Sequence, residues 1–395
     1  MKVLFLSAWY PHRYDAMWGL FVRKHAEAVS RFADVCVLYL MADEKVDQFD
    51  IIEQTTNSIR EVYVYYPFTN KPILRQLTKA IGYVQAFRRG FAVVRQNFGL
   101  PDVVQANVLT RSGVLAYWLK QKYGIPYIIV EHWTRYLPQN FNYKGIARKC
   151  LTRICVKNAS CVLAVSNMLR DAMQKCGLKN DNYQIIDNVV DDFFYETQKS
   201  ITEHRFRFLH ISCFEELHKN VKGILNATKL LLQHRSDFEL VLIGVGADWQ
   251  DVVQYAKELD LPDSNVRFVG EQPPVEVCRY FAESDALVMF SRYETAGITF
   301  CESWATGTPV ITTQVGIIPD CLTPQNGITV QNENGTDLCE KMSWMIDNVK
   351  TFDSAEIRRT AHRFTYGNVG KRLFDIYCGA VNLSRHTDSI KESNG

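Results

Sequence analysis

The sequence predicts an α/β protein built from two doubly wound units. Three observations predict it. The chain has 395 residues, too many for one average core and well suited to two. Short apolar runs of strand length alternate with longer stretches of helical spacing, the pattern of a parallel sheet covered by helices. The alternation stops in a polar, aperiodic stretch at 192–205 and then starts afresh.

Composition sets the class. Hydrophobic content of 47% and charged content of 22% are those of an ordinary globular protein. A net charge of +2 argues against a generic nucleic-acid binder. The eleven cysteines include no Cys-x2-Cys pair, and Cys150, Cys155 and Cys161 lack paired histidine spacing. They read as mostly buried thiols in a reducing compartment. No apolar run reaches ~18 residues, so no membrane span is expected, and no repeat of solenoid period is present.

The apolar opening at 2–6 is too short for a signal core and runs into Trp9, Tyr10 and Pro11, so it reads as the first strand. A loop to Gly19 and a helix over 20–32 follow. Strands are expected at 35–40 and 62–66, then a long helix over 73–97. Strands at 102–105 and 127–130 enclose another helix, and a basic helix over 143–157 precedes a strand at 161–165. Ligands of such sheets bind at the carboxyl ends of the strands. Two residues sit there: Gly19, which opens a helix after the first strand, and His132, just after the strand that ends at Val130. Taken alone, Gly19 reads first as an ordinary turn glycine and His132 as a structural histidine, and their place at strand ends is what favours a functional reading.

The second half repeats the pattern. A strand at 207–212 leads through a loop containing Lys219 into a helix over 221–234. A strand at 239–243 ends in Gly244 and Gly246, a weak motif because the third glycine of the dinucleotide fingerprint is missing. A strand at 266–269 and a helix over 274–283 follow. The stretch 284–311 then reads strand, loop, helix, strand. Glu294 lies just before the helix start and Glu302 one to two turns inside it. A helix start offers unpaired amides and partial positive charge, which suits a diphosphate. Gly297 lets a ligand approach the backbone, and each carboxylate can accept two hydroxyl hydrogen bonds, as sugar diols require. The same spacing also fits a solvated Glu294 and an ordinary helix-surface Glu302.

The wording of this stretch, SRYE at 291–294, seven residues, then ESWATGTPVI at 302–311, resembles the Glu-x7-Glu signature of the retaining glycosyltransferases of family 4. The resemblance implies the GT-B architecture: two doubly wound, Rossmann-like domains facing a central cleft. It covers most of the chain. The expected layout is an acceptor domain at 1–191, a linker at 192–205 and a nucleotide-sugar domain at 206–364. A helix at 365–383 would cross back to the first domain, ahead of a frayed tail at 384–395. Gly19 and His132 match positions that face the family's cleft, and Gly244 matches its nucleotide-side turn. Lys219 and Asn220 match the end of the family's Arg-Leu-x3-Lys loop, whose Arg and Lys contact the diphosphate. Cys213 stands where the Arg is expected, and Lys222 and Arg292 are candidate replacements. The 184–191 segment resembles the family's Pro-Asn-Gly-Val-Asp segment, but Asp187 replaces the proline and Val189 the glycine; Asn188 reads as a turn residue. The 315–320 segment resembles the family's Gly-Gly-x-Pro-Glu loop, but Ile317 stands in place of the second glycine.

The resemblance implies sugar transfer from a nucleotide-diphosphate donor, UDP ahead of GDP, to a glycan or lipid-linked acceptor. Lys219 and the backbone at Ala296, Gly297 and Ile298 would hold the leaving diphosphate, Glu302 the ribose, Glu294 the donor sugar, and His132 the sugar or acceptor. No metal and no cofactor beyond the donor are expected, and the setting is cytoplasmic. A silent sugar-nucleotide-binding subunit, or another GT-B enzyme such as an epimerase, stays open.

Charge is uneven. Residues 71–100 hold Lys71, Arg75, Lys79, Arg88, Arg89 and Arg95 without an acid, together with Ile73, Leu74, Leu77, Ile81 and Val84 at helical spacing. Residues 142–160 add Lys144, Arg148, Lys149, Arg153 and Lys157, again without an acid. Two amphipathic helices with solvated basic faces would look this way. So would a surface that docks on an anionic membrane from its inner side.

Overall fold

The structure is a computed structural model that describes residues 1–199 and 204–393. It divides into two compact units. One comprises Met1–Val165, Leu169–Val189 and the chain from Tyr366 onward; the other comprises Ser166–Met168 and Val190–Thr365.

In the first unit the chain runs β1 (Lys2–Ser7), α1 (Leu20–Ser30), β2 (Asp34–Ala42), β3 (Asp50–Thr56), β4 (Ile59–Tyr66), α2 (Pro72–Asn97), β5 (Val103–Asn107), α3 (Leu109–Tyr123), β6 (Tyr127–Glu131), α4 (Ile146–Asn158), β7 (Cys161–Ala164), α5 (Asn167–Lys175) and β8 (Tyr183–Ile185). The sheet order is β3-β4-β2-β1-β5-β6-β7-β8. Every pairing is parallel except β3 with β4. β1, β5, β6 and β7 are apolar because both faces of the sheet are covered. β3 is the exception, an exposed edge hairpin strand that shows no apolar alternation and escapes a reading by pattern.

The second unit holds α6 (Asp192–Glu196), β9 (Phe206–Ile211), α7 (Glu216–Lys219), α8 (Val221–Leu232), β10 (Phe238–Ile243), α9 (Trp249–Glu258), β11 (Val266–Gly270), α10 (Pro274–Ala282), β12 (Ala286–Met289), α11 (Ile298–Ala305), β13 (Val310–Thr312), α12 (Ile318–Cys321), β14 (Gly327–Thr329), α13 (Gly335–Asn348) and α14 (Ser354–Ala361). Its sheet is wholly parallel, in the order β11-β10-β9-β12-β13-β14. Two doubly wound α/β units are therefore present, as the alternation predicts. Of the expected linker, 200–203 lie outside the described residues.

The last helix, α15 (Tyr366–Ser393), belongs to the first unit. A Cβ on Gly370 would stand 2.1 Å from the Ala28 carbonyl oxygen, so α15 lies close on α1. Buried Tyr377 donates to Gln105 Oε1 at 2.5 Å. Where a frayed tail is expected at 384–395, α15 runs on to Ser393, in a stretch, 380–394, that contains neither glycine nor proline. Residues 394–395 lie outside the described ones.

The topology fixes where ligands can sit. From β1 the chain winds first toward β2 and later returns to β5 on its other side; from β9 it winds toward β10 and returns to β12. Each is a topological switch point, and the crevice at the strand carboxyl ends there is the ligand position of such sheets.

Candidate functional site

At the switch point of the second unit, the loops after β9 and β12 carry the sequence-predicted residues. Lys219 ends α7, and Asn220 follows in the left-handed conformation (φ 51°) before α8. The loop after β12 carries Ser291 and Glu294, both buried, and Gly297 (φ 81°) starts α11. Lys219 Nζ donates to Glu294 Oε1 at 2.5 Å, and Ser291 Oγ donates to the same oxygen at 3.0 Å. Burial alone would lower the Lys219 pKa; the Glu294 carboxylate more than offsets it, so the ammonium is held above its usual value. Lys219 and Glu294, 75 positions apart, form one buried ionic centre beside the start of α11.

The surrounding backbone is tightly drawn. Gly244 (φ 117°) ends β10, and a Cβ there would stand 1.9 Å from the Ser212 carbonyl oxygen; one on Gly246 would stand 1.5 Å from that of Cys213. Phe214 between these loops is buried at φ 44°, an uncommon conformation for an aromatic residue and a form of local strain. The 313–318 loop closes on the signature loop: Thr313 Oγ1 donates to the Ser291 carbonyl at 2.6 Å and the Ile317 amide to that of Ala296 at 3.1 Å. Glu302, on the second turn of α11, is half-buried and faces α10. Burial first, and the Glu302 carboxylate after it, raise the Cys278 thiol there.

Neither expected replacement for the missing arginine is available. Lys222 pairs with Asp251 at 2.6 Å. Arg292 donates to the Glu216 carbonyl, to Asn220 Oδ1 and to Glu333, so it braces the Lys219 loop from behind. The sequence could not show this, because the partners lie up to 76 positions away. Cys213 is exposed. Tyr293 was not singled out from sequence. Its hydroxyl is buried without a protein partner, its ring packs 4.4 Å from that of His218, and burial pushes its pKa up to about 12.

At the switch point of the first unit, Gly19 (φ 67°) opens α1 against the loop after β1. A Cβ there would stand 2.4 Å from the Trp9 carbonyl carbon, so only glycine fits. Glu131 ends β6 fully buried. Its carboxylate accepts the amides of His132 (2.8 Å), Trp133 (3.0 Å) and Leu109 (3.1 Å) and the Tyr136 hydroxyl (3.1 Å), which fixes the His132 loop. The His132 ring lies 4.3 Å from Phe21 and 5.6 Å from His25 of α1. His132 Nε2, His25 Nδ1 and, at the end of β5, Asn107 Nδ2 are buried without protein hydrogen-bond partners. Burial, then the neighbouring His25, hold His132 well below the usual histidine range, so it is neutral near pH 7. Val108, next to Asn107, sits at φ 61°, an outlier for a β-branched residue.

The same edge carries an aromatic group that the sequence reading did not single out. Trp9 lies 5.0 Å from Trp133 and 5.6 Å from Trp18, and the Arg135 guanidinium stacks 3.2 Å over Trp133. Trp18 is 44% exposed, so the group is open to a ligand. Beside it, a cavity of about 270 Å³ is lined by His12, Arg13, Arg23, Gln54, Tyr63 and Tyr65. A larger one, about 480 Å³, lies at the opposite edge of the sheet, between the starts of β7 and β8 and α15, away from these groups. Gly19 and His132 therefore lie at the same edge of the first unit, and Lys219, Gly244, Glu294, Ala296, Gly297, Ile298 and Glu302 lie in the second unit. Among the described residues no cluster of three or more His, Cys, Asp or Glu could hold a metal ion.

Two family models match consecutive parts of the chain: Glycosyltransferase Family 4 over residues 22–192 and Glycosyl transferases group 1 over 194–361. An uncharacterized glycosyltransferase of Methanocaldococcus jannaschii is 24% identical over 91% of both chains. The alpha-monoglucosyldiacylglycerol synthase of Streptococcus pneumoniae is 23% identical over 71% of this chain and 67% of its own length. Among solved structures, Anabaena HepE in complex with UDP superposes with a TM-score of 0.70 at 18% identity, over 95% of this chain and 99% of its own.

Proposed function

The chain belongs to the family 4 type of glycosyltransferases with the GT-B fold, and from that premise we propose retaining transfer from a UDP-sugar to a glycan or lipid-linked acceptor. The observation that carries the reading is the buried Lys219–Glu294 centre at the switch point of the second unit, beside an open helix start. A bound diphosphate would draw the Lys219 ammonium from Glu294 to its own oxygens. Glu294 would then be left to accept hydroxyl hydrogen bonds from the donor sugar. As the bond between the anomeric carbon and the phosphate oxygen breaks, charge grows on that oxygen. Lys219 and the amides at 296–298 stabilise it there, where the fixed groups need no reorganisation. The acceptor hydroxyl attacks from the side the leaving group departs, and its proton passes to the leaving phosphate oxygen. Glu302 would hold the ribose. No metal or further cofactor enters these steps.

Acceptor recognition belongs to the first unit. Trp9, Trp18 and Trp133 offer flat apolar faces for a sugar ring, and neutral His132 offers one hydrogen bond. UDP is favoured over GDP because HepE is a fold match crystallised with UDP. A cytoplasmic setting fits the eleven free cysteines. One observation favours a second reading, a subunit that binds the donor without turnover: Cys213 replaces the arginine, and Arg292 and Lys222 are engaged elsewhere. Thermal shift across UDP- and GDP-sugars, followed by nucleoside diphosphate release without acceptor, tests both. Stabilisation by a UDP-sugar with slow release supports transfer. Stabilisation without any release supports the silent subunit, and no stabilisation by any donor contradicts both.

A further inference from the structure

Three successive helices on one face of the first unit carry no acid; α5, which follows β7 on the same face, adds Asp171 beside Arg170 and Lys175. Helices α2, α3 and α4 follow β4, β5 and β6, and all three crossovers run toward the same edge of the sheet. Right-handed crossovers therefore put them on one face. Their contacts agree: Phe87 of α2 meets Trp118 of α3 at 5.7 Å, and Gly113 of α3 lies against Cys155 of α4. Together the three helices hold Arg75, Lys79, Arg88, Arg89, Arg95, Arg111, Lys120, Lys122, Arg148, Lys149, Arg153 and Lys157, and not one Asp or Glu. The chain as a whole is +2, so this charge is concentrated.

The same face exposes apolar side chains that a solvated helix has no reason to keep. The start of α2 buries no side chain and meets the fold through its polar groups, Arg75 with Glu44 at 3.5 Å and Lys79 over the Phe68 ring; its buried face begins only at Gly82. Ile73 is 93% exposed, and Leu74, Leu77, Ile81 and Val84 are 45–56% exposed. Successive side chains turn by ~100°, so these five fall within one arc of roughly 100° that points away from the sheet. On α4, Ile146 is 84% exposed, and Leu151 and Ile154 are exposed beside it. Both helices begin where the strands end, so the most exposed of these groups lie toward the carboxyl edge of the sheet. That edge also carries Gly19, His132 and the tryptophans.

We propose that the α2–α3–α4 face seats the protein on an anionic lipid bilayer. The apolar starts of α2 and α4 enter the headgroup boundary, and the basic residues behind them meet the lipid phosphates. Charge complementarity selects this occupant: three basic helices without an acid and a protruding apolar stripe match a negatively charged interface. No helix among the described residues is long and apolar enough to cross a membrane, so the attachment is peripheral. For the acceptor, the inference rests on the transfer reading, since docking by this edge would present a lipid-linked sugar to the tryptophans. The docking itself does not depend on catalysis.

The test is co-sedimentation of the full chain with vesicles of phosphatidylcholine alone, or of phosphatidylcholine with phosphatidylglycerol. Binding is expected only with the anionic lipid and should fall as salt rises. Each basic residue near the surface is worth roughly a fivefold change in binding, so Arg88→Glu/Arg89→Glu should weaken it by at least about 25-fold. Ile73→Ser/Leu77→Ser should remove the part that survives high salt. Both pairs are exposed, and unchanged melting temperatures verify the fold. Equal binding to both vesicles, no binding to either, or unchanged binding by both variants overturns the proposal. UDP release from a UDP-sugar, measured on the same samples without vesicles, keeps the two readings apart. Vesicle binding without release removes the transferase reading and leaves docking intact, and release without vesicle binding does the reverse.

Discussion

Removing Lys219 should do two separable things. Its ammonium lies 2.5 Å from Glu294 Oε1, with the two side chains only 15% and 10% exposed, so water screens the pair weakly. In Lys219→Ala the carboxylate stays buried with Ser291 Oγ as its remaining side-chain donor. Breaking a buried pair from one side costs ~3–5 kcal/mol, and we expect a loss near the lower figure because some solvent reaches both groups. The double change Lys219→Met/Glu294→Gln removes the uncompensated charge and should recover most of that loss. Nucleotide binding should behave differently. A charge-assisted bond to phosphate is worth ~1.5–3 kcal/mol, so the Kd for UDP should rise about 10- to 150-fold in both Lys219→Ala and the double variant. Glu294→Gln alone frees Lys219 and should leave UDP binding intact or tighter while lowering turnover. Lys222→Ala, which removes a partly exposed pair with Asp251 and a contact with the Tyr255 ring, should change stability and binding little. Urea denaturation gives the stabilities and calorimetric titration the affinities. Wild-type UDP affinity in the refolded double variant would refute the assignment of Lys219 to the phosphate.

Three further outcomes are expected. Glu302→Gln should weaken UDP binding by ~1.5–3 kcal/mol with little loss of stability; unchanged affinity in calorimetry would move the ribose site off α11. Gly19→Ala places a Cβ against the Trp9 carbonyl in a left-handed conformation and should cost at least ~2 kcal/mol. A melting temperature equal to wild type would contradict that geometry. Burial holds His25 and His210 at about 4, well below the usual histidine value. Between about pH 4 and 6.5 the unfolded chain binds protons that the folded chain refuses, so stability is full above this window and lost as pH falls through it. Each histidine contributes ~1.4 kcal/mol per pH unit, or roughly 3 kcal/mol by pH 4. Denaturation curves from pH 7 to 4.5 should show the decline, and a flat profile would contradict it.

The fold was legible because parallel strands buried on both faces are written as short apolar runs, and helices between them as 3.6-residue spacing. β3 was not legible, since an exposed edge strand needs no apolar pattern. In the site, the Glu294 loop and the α11 start could be read locally, because strand, turn glycine and helix follow one another in the chain. The Lys219–Glu294 contact and the bracing role of Arg292 could not, since they join segments that only the sheet order brings together. His25 was not singled out from the sequence; its approach to His132 depends on β6 lying beside β5 and β1. Trp9, Trp18 and Trp133 were visible as residues, but their grouping follows from the close turn at Gly19.

Retention at the anomeric carbon is tested most directly by proton NMR during hydrolysis of an α-linked UDP-hexose, chosen from the donors that stabilise the protein, with EDTA present. Front-side departure at the Lys219–Glu294 centre predicts the α-hexose as the first-formed anomer, with the signal greatly reduced in Glu294→Gln. First formation of the β-hexose, or release that Glu294→Gln leaves unchanged, would contradict it.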